Sequence, residues 1–170
     1  MRKMGGLKKY MPITYWTSLI GSLALIGFPG FSGFFSKDAI IEAVHLSHIP
    51  GAGIAYYAIL SGVFITALYS FRLVFLVFHG EERFDEKTRS HLHESPGVVT
   101  IPLMLLAILS VGSGAVAITP MLFGGFFGDG IYVATSHDVL AELGTHYHGV
   151  LGMMIHGLSQ PPFWLAAAGV

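Results

Sequence analysis

A lysine followed at once by an aspartate, Lys37-Asp38, stands inside an otherwise apolar tract, and Glu42 and His45 follow the aspartate at i+4 and i+7. That spacing lays Asp38, Glu42 and His45 along one face of a helix. An amine, two carboxylates and an imidazole can hold and pass protons, and a polar stripe on an apolar helix suits a water-filled half-channel. A lysine at mid-bilayer costs about 2.5 to 3.5 kcal/mol on insertion scales, so such a residue marks an ion or proton path. An amine that must give up its charge to stay buried can serve as a relay. The bland reading has Lys37 snorkelling to the headgroups, Asp38 merely complementing a helix N-terminus, and Glu42 and His45 already at the interface.

Other candidates carry weaker patterns. Arg72 lies about two turns before the end of the second apolar tract, where it either anchors at the interface or pairs with a buried carboxylate. His79 ends the same tract and complements a helix C-terminus. The pairs His91/His93 and His146/His148 invite a metal reading. An isolated His-x-His without further ligands does not make a site, so no metal is assigned.

The elements that must position these groups are membrane spans. No charged residue occurs from Ile13 to Phe35, and the apolar pattern resumes through Ala39, Ile40, Ile41 and Val44. One straight helix from Ile13 to His45 would measure about 50 Å against a hydrocarbon core of about 30 Å. The tract is therefore expected to be a discontinuous helix, residues 13–45, broken near 27–33, where Gly27-Phe28-Pro29-Gly30 and Gly33 tolerate or force departures from helical geometry. Further spans are expected at 55–78 and 98–118, and 161–170 reads as the start of a truncated one. Residues 1–12 form a basic segment, and residues 79–97 and 119–160 connect the spans. Within the latter, Thr135 and Asp138 read as a capping-box start to an amphipathic helix that carries Val139, Leu140, Leu143, Tyr147, Val150, Leu151 and Met154.

Composition agrees. The chain is 53% hydrophobic and only 11% charged, with a mean hydropathy of +0.66, which excludes an ordinary soluble domain. It has no cysteine, so it offers no thiolate for an iron-sulfur cluster or c-type haem. No basic surface with interleaved aromatics speaks for nucleic acid, and the first apolar run is too long for a cleaved signal peptide. Arg2, Lys3, Lys8, Lys9, Arg83, Lys87 and Arg89 flank one side of the spans, and 47–54 and 119–160 hold no lysine or arginine. The positive-inside rule then places the N-terminus and the 79–97 loop in the cytoplasm and residues 119–160 in the periplasm.

The motifs Met4-Gly5-Gly6-Leu7, Met11-Pro12, Gly27-Phe28-Pro29 and above all Ser32-Gly33-Phe34-Phe35-Ser36-Lys37-Asp38 closely resemble the antiporter-like subunit L family of proton-pumping NADH:quinone oxidoreductase, respiratory complex I. Tyr69-Ser70-Phe71-Arg72 and Phe78-His79-Gly80 resemble its next helix. The resemblance is specific up to about Gly80 and loose beyond it. It implies an all-α, multi-pass inner-membrane protein of inverted-repeat type, in which Lys37 matches the buried lysine of a broken helix and Asp38 its acidic neighbour. It also implies partners among the other membrane-arm subunits, with the lipid bilayer and protons. NADH, FMN, iron-sulfur clusters and quinone are implied in other subunits and no cofactor in this chain. Subunit L is several times longer, so the chain reads as a fragment with no transport expected of it alone. A sodium/proton antiporter subunit, a membrane hydrogenase subunit and an inert scaffold are the competing readings.

Overall fold

Pro12 opens the first helix, α1 (Pro12–Ile26), at a position where a missing N–H costs nothing, because first-turn amides lack intrahelical partners. The computed structural model describes residues 1, 3–134 and 137–170. Gly27, at φ +79°, ends α1: its own N–H donates to the Ala24 carbonyl at 3.2 Å and that of Phe28 to Leu23 at 3.0 Å. This left-handed closure needs glycine and satisfies carbonyls of the last turn. After Phe28–Phe31 the chain re-enters a helix as α2 (Ser32–Leu46).

The remaining helices are α3 (Ala52–Val74), a single turn α4 (Glu86–Arg89), α5 (Gly97–Ile118), α6 (Val139–His146), α7 (Gly149–Ser159) and α8 (Pro161–Ala168). No strand occurs among the described residues. A π turn, Phe75–His79, extends α3, and another, Thr119–Phe123, extends α5. With these turns the two helices reach 28 and 27 residues, long and apolar enough to cross a bilayer.

Packing along α3 orders the broken pair. Its C-terminal part meets the start of α1, where Val74 and Phe78 bury Tyr15. Its middle meets the end of α1 and the body of α2 through Val63, Ala67, Ile26 and Ile41. Its first turns meet the end of α2, where the rings of Tyr56 and His45 lie 4.7 Å apart. Thus α1 and α2 form one interrupted rod antiparallel to α3. Helix α5 lines the other side, with Gly114 against Ser32 and Phe35. It turns Ile101, Leu105, Leu106, Ile108 and Leu109 outward, a continuous apolar face that suits lipid or another apolar helix rather than water.

The amphipathic segment differs from its sequence reading. Thr135, offered above as a capping residue, and Arg2 of the basic segment lie outside the described residues. Asp138 caps α6 itself, accepting from the Ala141 amide at 3.0 Å. The single helix expected from Val139 to Met154 is two, because the chain leaves helical geometry at Tyr147 and His148 and Gly149 takes φ +82°. Nor does α7 lie free as a surface helix. Its Val150, Met153 and Met154 pack on Phe34 and Phe35 of α2.

The two basic regions share one end of the molecule. Lys9 and Arg89 each approach Glu82 at 3.7 Å, and Arg89 Nε donates to Tyr10 at 3.2 Å. Water and salt screen these exposed pairs, so they contribute little. A stronger tie comes from Glu94, which reaches back to the start of α1. Its Oε2 accepts the Ile13 amide at 2.6 Å and the Thr14 amide at 3.3 Å, and its Oε1 accepts the Thr14 hydroxyl at 2.7 Å. No side chain at Met11 caps this helix, so a carboxylate distant in sequence does.

Burial pushes the Glu94 carboxyl up, but the hydrogen bonds from Thr14, Ser95 and Ile13 outweigh it and hold the group below the ordinary glutamate range. The contribution of a depressed carboxylate is complete above its unfolded value, near ~4.3, and is lost as pH falls through the lower folded value. Glu94→Ala is therefore expected to cost about 1 kcal/mol at pH 7. Its thermal midpoint in detergent should fall below wild type at neutral pH and converge with it in acid. Equal midpoints at pH 7 would show that this cap contributes nothing.

Candidate functional site

The site sits at the interruption of the α1–α2 rod. Gly33, in the first turn of α2, lies so close to the end of α1 that a Cβ there would stand 1.8 Å from the Ala24 carbonyl oxygen. Only a residue without a side chain allows that approach. It brings the second turn of α2 beside the last turn of α1, and the Lys37 ammonium donates to the Leu25 carbonyl. Leu25 belongs to the last four carbonyls of α1, which have no intrahelical donor, and the negative helix end favours a cation. Lys37 thus bridges the break, its stem passing Gly27 at 3.4 Å from where a Cβ would lie.

Asp38 is the more enclosed of the two. It is buried, 8% exposed, and shares a small space of about 20 Å³ with Lys37, enclosed by Phe34, Ile41, Gly157 and Phe163. Its titratable neighbours are Glu42 one turn on and His156 of α7. Glu42 is half-buried and His45 exposed, and both open onto a larger cavity of about 380 Å³ between α2 and the α6–α7 arm. The structure therefore divides the four between two neighbouring spaces, Lys37 and Asp38 at the small one and Glu42 and His45 at the larger.

Arg72 is not part of it. It is exposed on α3, and the ion pairs among the described residues join Lys9 and Arg89 to Glu82 and Arg89 to Glu86. His79 instead pairs with the Tyr15 hydroxyl at 3.0 Å, at the far end of α1. His146 and His148 line the larger cavity. Among the described residues no three His, Asp or Glu side chains are grouped to hold a metal ion. His156 escaped the sequence reading. Its only signal was a lone imidazole in the apolar run of α7, and helical spacing on α7 says nothing about proximity to α2.

Residues 1–66, which include the whole α1–α2 rod, match the family model described as NADH:quinone oxidoreductase/Mrp antiporter, TM. Subunit L of NADH-quinone oxidoreductase from Neisseria meningitidis serogroup A is 51% identical over all of this chain and 28% of its own length. Subunit L from Rhodobacter capsulatus is 43% identical over 76% of this chain and 18% of its own. Chain 5 of NADH-ubiquinone oxidoreductase from Marchantia polymorpha is 40% identical over 84% of this chain and 22% of its own. The chain thus spans about a quarter of the length of these relatives. An interrupted apolar helix with a lysine at its break, within the family-model match, and subunit L relatives about half identical over the whole chain place it in the antiporter-like subunit L family of NADH-quinone oxidoreductase, a family of all-α membrane proteins.

Proposed function

We propose that this chain carries part of the proton path in the membrane arm of an NADH:quinone oxidoreductase, where it moves protons and performs no redox step. The observation that carries the reading is the placement of Lys37 across a helix break, next to buried Asp38 and one turn short of a larger cavity lined by Glu42, His45 and further histidines. Lys37 takes a proton from a charged group on a neighbouring helix and passes it to Asp38. From there it reaches the cavity that Glu42 and His45 line and leaves past them. A charge lost at one of these positions alters its neighbours by a few kcal/mol, about 4 at 4 Å in an effective dielectric of 20, so each transfer biases the next.

The relatives are named as subunits of NADH-quinone and NADH-ubiquinone oxidoreductases, which supports other membrane-arm subunits as partners. NADH, FMN, iron-sulfur clusters and quinone belong to those other subunits, in keeping with a chain that has no cysteine. The decisive test is proton translocation per electron in vesicles with Lys37→Met, argued below.

Orientation has its own test. The N-terminal segment and the Glu82–Arg89 loop meet at one end of the molecule, and the 47–49 loop meets His137, Asp138 and Glu142 at another. The lysines and arginines gather at the first, which we place in the cytoplasm of a bacterial inner membrane. The chain has no cysteine, so single cysteines at the exposed positions Arg83 and Thr145 can be labelled without background. An impermeant thiol reagent is expected to reach Thr145→Cys from the periplasm and Arg83→Cys only from the cytoplasm. Labelling of both from one face would overturn the orientation.

A further inference from the structure

Three imidazoles that the Lys37–His45 path leaves unused gather on one wall. Opposite Glu42 and His45, the cavity of about 380 Å³ is lined by His146 and His148 at the α6–α7 junction and by His156 of α7. It has room for several waters at about 30 Å³ each. The small space around Lys37 and Asp38 is separate from it. Two helices pass both. Helix α2 sets Asp38 at the small space and Glu42 at the large one, and α7 sets Gly157 at the small space and His156 at the large one.

The partition between the spaces is built by close packing. A Cβ at Gly157 would fall 2.5 Å from the Phe34 ring, so α7 lies this near α2 only because residue 157 has no side chain. That approach brings His156, its neighbour in the chain, within electrostatic reach of Asp38. The Gln160 amide nitrogen lies 2.9 Å from His156 Nε2 and 3.4 Å from Nδ1, against the ring face, so both ring nitrogens stay free for proton exchange. An imidazole between a buried carboxyl and a wet cavity can take a proton on one side and release it on the other.

We propose that His156 carries the proton from Asp38 across this partition into the histidine-lined cavity, a role that rests on the proton-path reading of Lys37. The O–H bond of protonated Asp38 breaks and an N–H bond forms on neutral His156, leaving a carboxylate and an imidazolium. The imidazolium then gives the proton on its other ring nitrogen to water in the cavity, and the neutral ring turns over to present its bare nitrogen to Asp38 again. Asp38 stays ionised until the next proton arrives from Lys37. No electrons move.

The test uses the assembled complex with the full-length subunit in vesicles, comparing wild type, Lys37→Met, His156→Gln and His156→Ala. His156→Gln keeps hydrogen bonding without titration, and His156→Ala opens a gap that imidazole in the medium can enter from the cavity. Both His156 variants are expected to lower proton translocation per electron to the level of Lys37→Met, with wild-type amounts of assembled complex. Added imidazole is expected to restore His156→Ala but not Lys37→Met. Retained pumping by His156→Gln beside a failed Lys37→Met would overturn the role of His156 and leave the wider path standing. A loss in His156→Ala that ignores imidazole would reduce the residue to a structural part, and wild-type pumping by Lys37→Met would remove both readings together.

Discussion

Lys37→Met, made in the intact complex, is expected to lower proton transfer through this route by about 10²-fold or more while assembly is kept. Methionine retains most of the apolar stem that passes Gly27 and loses the ammonium that bridges to the Leu25 carbonyl. One hydrogen bond to a helix end costs about 1.5 to 3 kcal/mol when its donor is charged. Relief from holding a charge inside the bilayer offsets a similar amount, so a scaffold tolerates the change or gains by it. A proton carrier does not. Lys37→Arg separates charge from proton exchange: the guanidinium also donates to Leu25 but stays protonated at any working pH. A relay therefore fails with arginine too, whereas a purely electrostatic role survives it. The measurement is protons moved per electron, normalised to assembled complex. Wild-type values for Lys37→Met would remove this residue from the mechanism.

Gly33→Ala should be nearly as damaging, and for a packing reason. The added methyl would have to sit 1.8 Å from the backbone oxygen of Ala24, and no rotamer of a flexible neighbour can relieve a clash with main chain. The two half-helices must separate, which costs about 3 kcal/mol, the upper part of the usual range for overpacking. Separation also draws Lys37 away from Leu25. The control is Gly21→Ala in α1, where nothing in the chain lies within 4 Å of the new methyl. A glycine-to-alanine change in a helix interior favours the helix by about 1 kcal/mol, so that variant should assemble at least as well as wild type. Native-gel yield of the complex separates the two. Gly33→Ala assembled and pumping like wild type would mean that the close approach at the break is dispensable.

The class of protein was legible in composition alone, because a chain with so few charges and such long apolar runs can bury its surface only in lipid or against other apolar helices. The family was legible in the run from Ser32 to Asp38. The helix stop after Ile26 is also local chemistry: Gly27 and Gly30 take positive φ at little cost, and Pro29 has no amide to continue a helix. The i, i+4, i+7 spacing placed Asp38, Glu42 and His45 on one face because helical periodicity is a property of the chain itself.

What faces that stripe was decided only in three dimensions. Glu94 lies 81 positions from Ile13, and nothing in either neighbourhood announces that its carboxylate caps α1. The depth of Arg72 along its helix suits either an interfacial anchor or a partner for a buried carboxylate. Depth does not fix which way a side chain points, and the packing of α3 on α1 and α2 turns it outward. His156 comes within electrostatic reach of Asp38 because Gly157 lets α7 rest on the Phe34 ring. Periodicity determines which residues share a face of one helix, and the shapes of the packed surfaces determine which face it meets.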